Sequence, residues 1–291
     1  MKISEAINLV KNYCSGIAFE TGKPIDESTT RDKITYGAEH LDDECTGIVT
    51  CLWATADVVR MAMSKGANLI IPHEALFWNH GDHQDIMAGN ATFEAKKKLL
   101  NDWGGTVWRC HDYIHSKVPI DKNGALVDGI FYGFAWKMGW LDYRCEDVSF
   151  GLDYRIPKTS GKDLADSLVD KLGLNGTRII GDSDASVERV HIPMHVLGNA
   201  ASDNHEIKYA DRQHVDALVT MEFIDFTVSE YIRDDALLGQ GKCAITVGHF
   251  NLEEPGMEYM THWLPEALGT GDIPISFVPM GDTYQYVLAK D

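Results

Sequence analysis

A chain of 291 residues, 44% hydrophobic and 24% charged, is long enough to bury a sizeable core as one large or two modest domains. Its 44 acidic and 26 basic residues leave a formal net charge of −18. That charge repels phosphate backbones and anionic bilayers, which argues against nucleic acid and membrane surfaces as partners. Six cysteines without a C-x-x-C pair read as free thiols packed as small hydrophobes, the pattern of a reducing, cytoplasmic compartment.

The first residues, Met1-Lys-Ile-Ser-Glu-Ala-Ile-Asn-Leu-Val-Lys11, have the spacing of an amphipathic helix and lack the apolar stretch of a signal peptide. No run reaches the ~18 apolar residues of a membrane span. From Gly47 the pattern alternates. Gly47–Leu52 predicts a strand, Ala54–Lys65 a helix with Val58, Val59, Ala62 and Met63 on one face, and Ala67–Ile71 a second strand after Gly66. Asp85–Asp102 predicts a helix with Lys96-Lys97-Lys98 on a solvated face. Gly104-Gly105 ends it, and Thr106–Cys110 is a third strand. This is the β-α-β-α-β pattern of a parallel sheet.

Glycines interleaved with Phe131, Tyr132, Phe134, Trp136 and Trp140 suggest either close helix packing or a short ligand-facing helix. A second α/β run follows. It has a helix at Leu164–Leu172, strands at Glu188–Met194, Val215–Thr220 and Cys243–Val247, and helices at Thr227–Ala236 and Met257–Leu268. Pro255 reads as the first residue of that last helix, with Glu253 and Glu254 just before it. Ile275–Val278 and Gln285–Leu288 read as late strands.

Three apolar strands run into histidine and carboxylate, and in open α/β sheets ligands bind at the carboxyl ends of strands. The first ends in His73-Glu74, followed at once by Ala75-Leu-Phe-Trp78, which demands burial around two polar residues that then need a partner or a cation. The second ends in His111-Asp112-Tyr-Ile-His115. If helical, its two imidazoles share one face, and Asp112 is either a ligand or a carboxylate orienting one. The third ends in His249-Phe-Asn-Leu-Glu253. His195 follows a further strand, and His80-Gly-Asp-His83 reads as a solvated lip. No G-x-S-x-G elbow, G-x-G-x-x-G fingerprint or P-loop is present, so neither a serine hydrolase nor a nucleotide cradle is supported.

These blocks, Gly47-Ile-Val-Thr-Cys, Gly66-Ala-Asn-Leu-Ile-Ile-Pro-His-Glu-Ala-Leu-Phe-Trp78, Val107-Trp-Arg-Cys-His-Asp with His115, and Gly248-His-Phe-Asn-Leu-Glu253, resemble the Nif-three-like dinuclear metal centre proteins. Members are often labelled GTP cyclohydrolase I type 2 homologues. The resemblance implies two linked α/β domains with mainly parallel or mixed sheets, a metal site between them, and a hexameric ring. Residues 1–120 with 243–291 would form the first domain and 121–242 the second. Carried over by position, His73, Glu74, His111, His115, His249 and Glu253 would hold one or two divalent cations. His115 stands where the family carries a bridging Asp, and an imidazole cannot bridge two ions as a carboxylate does. Phe226 stands where a His often follows the acidic position matched by Glu222.

The expectation is therefore a metal-dependent hydrolase acting on a small polar or nitrogen-heterocyclic substrate. Mixed N/O ligands suit Zn, Fe, Mn, Ni or Co. Asp112, Glu222 or Glu254 would handle protons. The competing reading is a non-enzymatic, metal-binding oligomeric scaffold.

Overall fold

The computed structural model describes residues 1–19, 21–148 and 151–289. The chain is α/β and divides into two compact units, Met1–Gly133 with Glu253–Met280 and Phe134–Leu252 with Gly281–Asp291. The sequence places the seams at 120/121 and 242/243; the compact units meet at 133/134, 252/253 and 280/281.

Unit 1 begins with helix α1 (Ile3–Tyr13), whose Ile3, Ala6, Ile7 and Val10 are buried. Its sheet contains β1 (Ile34–Tyr36), β2 (Ile48–Cys51), β3 (Leu69–Pro72), β4 (Thr106–Trp108) and β11 (Ile275–Phe277), in the order β1-β4-β3-β2-β11. The last four are mutually parallel and β1 closes the edge antiparallel. Strands β2, β3 and β4 are buried along their whole length, as expected of strands covered on both faces.

Helix α2 (Ala56–Lys65) is capped by the Thr55 hydroxyl and stopped by Gly66 in the left-handed conformation. It buries Val58, Val59 and Ala62 against Val49, Cys51, Ile70 and Val107. Met63, expected on that face, is exposed. The helix expected at Asp85–Asp102 begins later, as α3 (Ala91–Trp103). Gly89 has a positive φ and the Asn90 side chain accepts from the amides of Thr92 and Phe93, so the regular helix starts there.

Lys96 also corrects the expected solvated face. Its side chain is buried, its Nζ donates to the Leu76 carbonyl at 2.7 Å, and it lies over the rings of Trp53, Phe77 and Trp78. Only Lys98 keeps the exposed i,i+4 pair, with Asp102.

A short helix, α4 (Asp112–His115), follows β4, and α5 (Gly129–Met138) occupies the Gly/aromatic segment. Close helix packing explains Gly133. A Cβ on Gly133 would sit 2.5 Å from the Gly256 Cα, and one on Gly256 would sit 2.5 Å from the Ile130 Cα. The last helix, α9, spans His249–Leu268, so His249 opens it and Pro255 lies inside it. The proline removes one intrahelical hydrogen bond without ending the helix. Thr50, pointing away from the Val49/Cys51 face, donates its hydroxyl to the Met257 carbonyl at 2.9 Å.

Unit 2 has a six-stranded mixed sheet. Its strands are β5 (Arg144–Val148), β6 (Gly151–Ser160), β7 (Arg178–Gly181), β8 (Ser186–Pro193), β9 (Ala217–Thr220) and β10 (Cys243–Thr246), in the order β5-β6-β8-β9-β10-β7. β8, β9 and β10 are parallel; the other pairings are antiparallel. Helices α6 (Gly161–Leu172), α7 (Ala200–Arg212) and α8 (Val228–Leu237) complete the unit. Ile232 and Val228 of α8 pack with Leu218 and Ala244 of the sheet. Gln285–Leu288, expected as a strand, has no regular structure, and Val287 and Leu288 are exposed.

All six cysteines are free, and only Cys145 is exposed. Among the described residues no helix is long and apolar enough to cross a membrane.

Candidate metal centre

Strand β3 delivers His73 and Glu74 at its carboxyl end. Their amides stay tied to the neighbouring strand's end, with both donating to the Leu52 carbonyl at 3.0 and 2.8 Å. The His73 side chain is fully buried and its Nδ1 lies 3.1 Å from the Cys110 carbonyl oxygen. A carbonyl only accepts, so Nδ1 carries the proton and Nε2 carries the lone pair. Burial, reinforced by His111 and His115, holds this imidazole well below its usual pKa, so it is neutral. Nε2 has no hydrogen-bond partner and lies 3.5 Å from Glu253 Oε2.

His111 and His115 complete the cluster from the turn after β4. The His111 ring stacks on His73 with centroids 4.4 Å apart, and the His115 centroid lies 5.0 Å from that of His73. One ring nitrogen from each of the three falls within 4.8 Å of the others, and His73, Glu74 and Glu253 form a second such group.

The turn is held by Asp32. Its carboxylate accepts from the amides of His111, Asp112 and Tyr113 at 2.5, 2.7 and 2.7 Å, and burial raises its pKa to about 6. His111 Nδ1 bonds Asp112 Oδ1 at 3.0 Å, and burial pushes the imidazole down to about 3. His115 Nδ1 bonds Asp128 Oδ2 at 2.8 Å. Burial alone would lower its pKa, but Asp128, with Glu253 and Asp32 nearby, carries it up to about 9. Each of the three histidines therefore has Nδ1 at an acceptor, and one ring nitrogen of each lies within 4.8 Å of the others. This is the arrangement that orients imidazole ligands of metals.

Arg109 organises the other side. Its fully buried guanidinium donates to the His73 carbonyl at 3.0 Å, the His80 carbonyl at 2.7 Å, Glu74 Oε2 at 3.1 Å and Asp82 Oδ2 at 3.3 Å. Asp82 in turn accepts from the Leu76 amide at 2.8 Å. The supposed lip is thus half right: His80 and His83 are exposed, while Asp82 is a buried strut.

The candidate proton carriers fall in three different places. Asp112 accepts from Arg31, Thr30 and His111. Burial alone would raise its pKa, but these bonds hold it far below the usual carboxylate range, which suits an orienting anion. Glu254 accepts from the Met280 amide at 2.7 Å, tying α9 to the segment after β11. Glu222 lies in unit 2 and accepts from Nδ1 of His195 at 2.8 Å and from Nδ1 of His249. Unit 1 thus assembles His73, Glu74, His111, His115 and Glu253, while His249 joins His195 and Glu222 in unit 2.

Arg109, Asp32 and Asp128 carry no role in the sequence expectations, and Asp82 only that of a lip residue. Only Asp128 left a local trace, since its Oδ1 also accepts from the Ile130 and Phe131 amides at the start of α5.

The fold and the histidine-carboxylate cluster define an α/β protein with a metal-centre type of donor set. The match of residues 108–282 to Duf34/NIF3 (NGG1p interacting factor 3) covers more than half of the chain, and the chain belongs to that family. Across 92% of this chain and 91% of the relative it is 21% identical to a protein of Clostridium acetobutylicum named GTP cyclohydrolase 1 type 2 homolog. The fold is similar to that of a hypothetical protein of Staphylococcus aureus, with TM-score 0.67, 18% identity and 99% of each chain covered. A Bacillus cereus protein related to NIF3 shares it at TM-score 0.67, 13% identity and the same coverage.

Proposed function

We propose that this protein is a metal-dependent hydrolase whose centre is built on His73, His111, His115 and Glu253. The observation that carries the reading is His73 Nε2: a buried lone pair with no hydrogen-bond donor, facing two imidazoles and a carboxylate. Leaving such an atom without a partner costs about 1–3 kcal/mol, which a bound cation offsets. Three nitrogens and one carboxylate suit Zn, Fe, Co, Ni or Mn.

When bound, such an ion supplies Lewis acidity and lowers the pKa of water. The chain's own residues do the rest. The Cys110 carbonyl, Asp112 and Asp128 fix the three imidazoles. Arg109 holds Glu74 beside the cluster and balances its charge in a dry environment. His115 would hold an ion only as the neutral imidazole, which Asp128 disfavours, so binding would tighten as pH rises towards 9. The substrate class is a small polar molecule, and cyclic amides and purine nucleotides are the ones to screen, the latter because of the clostridial relative's name.

The test is metal analysis of protein purified without added metal, followed by turnover of that panel. Bound cation that is lost in His73→Ala, with turnover lost alongside it, supports the reading. Cation retained by His73→Ala sinks the ligand assignment, and metal-loaded protein inert across the panel favours the scaffold.

A further inference from the structure

We propose that a proton on buried His191 clamps helix α7 to the sheet of unit 2, and that the helix opens from the sheet as that proton is lost. The clamp follows from strand register. Asp153 of β6 stands directly opposite His191 of β8, and Arg189 lies two residues before His191, so all three share one face of the sheet. Helix α7 brings Glu206 and Tyr209 to that face from positions three residues apart.

His191 Nδ1 lies 2.7 Å from Asp153 Oδ1, and its Nε2 lies 3.0 Å from Glu206 Oε2. An ionised carboxylate only accepts, so both ring nitrogens carry protons and the ring is an imidazolium. Asp153 also accepts from Arg189 Nη2 and, at 2.8 Å, from the Tyr209 hydroxyl. All three members of the Asp153-His191-Glu206 chain are buried. With Arg189 they make two acids and two bases, which balance when His191 is charged. Burial alone would lower the pKa of His191, but its bonds to Asp153 and Glu206 raise it. Of the other elements packed here, β9 places apolar Leu218 opposite His191, and α8 adds Val228 and Ile232. Helix α7 also lays the Tyr209 ring 4.7 Å from the imidazole, with His205 beyond it.

In either tautomer, a neutral ring leaves one buried carboxylate facing a lone pair and the site one negative charge out of balance. Strand β6 is laced to β8 by a backbone ladder, whereas Glu206 reaches the ring only through its side chain. The helix is therefore the part that gives way. It does so from Glu206 onward, because Asp203 near its start has a separate tether on the Thr227 hydroxyl. In the open state the ring returns to its ordinary pKa of about 6.5. The clamp is complete below that value and is lost as pH rises through the raised value of the closed state. Between the two, each opening releases one proton, so the opening constant rises about tenfold per pH unit.

The test is hydrogen exchange on the full-length chain across that window, corrected for intrinsic exchange rates, with NMR of the His191 ring. The expected result is two ring N–H protons at about pH 6.5 and, above it, protection over residues 206–212 that falls about tenfold per unit. Strand β9 holds its own protection. Glu206→Gln sets an amide donor against Nε2, so a neutral ring satisfies the closed helix and the slope disappears. The proposal is overturned by a singly protonated ring at that pH, by α7 protection without a slope, by the same slope in β9, or by a slope that survives Glu206→Gln. Where Glu206→Gln does not fold, the ring protons and the two native profiles decide the matter.

Discussion

Asp128 Oδ2 lies 2.8 Å from His115 Nδ1, so one carboxylate behind the ring fixes the imidazole that stands where the family's bridging acid is expected. The other oxygen of Asp128 caps helix α5. A single residue thereby couples the start of a packed helix to the orientation of a candidate ligand.

The first prediction concerns that pair. In the metal-free protein the His115 imidazole titrates near 9, because Asp128 outweighs burial. In Asp128→Asn the nearest charge is gone and only Glu253 and Asp32 still oppose burial, so the titration falls. At pH 7 the native chain then releases about one proton from this group for each cation bound, and the variant releases fewer. Imidazole NMR and calorimetry in buffers of different ionisation enthalpy read both quantities. Equal proton release in the two proteins would refute the coupling.

Arg109 supplies the second. Its guanidinium is 0% exposed and serves two carboxylates and two carbonyls. Arg109→Ala removes the buried counter-charge of Glu74 and Asp82 and lowers stability by about 3–5 kcal/mol. Arg109→Lys restores little, since one ammonium cannot span four acceptors. Urea denaturation measures this, and a loss under about 1 kcal/mol for Arg109→Ala contradicts it.

Lys96 gives a pH signature. Burial lowers its folded-state pKa to about 8 from the usual 10.5. Between these values the unfolded chain holds the extra proton, so folding stability rises with pH across the window and is lost again as pH falls to 8. The rise is of the order of 2 kcal/mol, since the Leu76 carbonyl and the three aromatic rings partly favour the ammonium. In Lys96→Met this component is absent. Parallel stability curves for the two proteins from pH 8 to 10.5 would dismiss it.

The sequence by itself determined the parallel strands β2, β3 and β4 and the helix α2 between the first two. Uninterrupted apolar runs and glycine stops can form little else. It also singled out His73, His111 and His115, because a polar residue directly after a buried strand has no cheap place to go. The same local logic misjudged Lys96, whose position on α3 looked solvated until the ring of Trp78 and the carbonyl of Leu76 folded over it. It placed a helix start at Pro255, although the helix runs on from His249. Only the tertiary structure decided which partner fixes each group: the Asp128 carboxylate accepting from His115, Asp32 accepting from the amides of the turn that carries His111, and Arg109 donating to Glu74. These partners come from distant or unpatterned segments, and a charge paired across space leaves no periodicity along the chain. It likewise placed His249 with His195 and Glu222, since the order of strands in a sheet, and not the order of residues, sets which strand ends are neighbours.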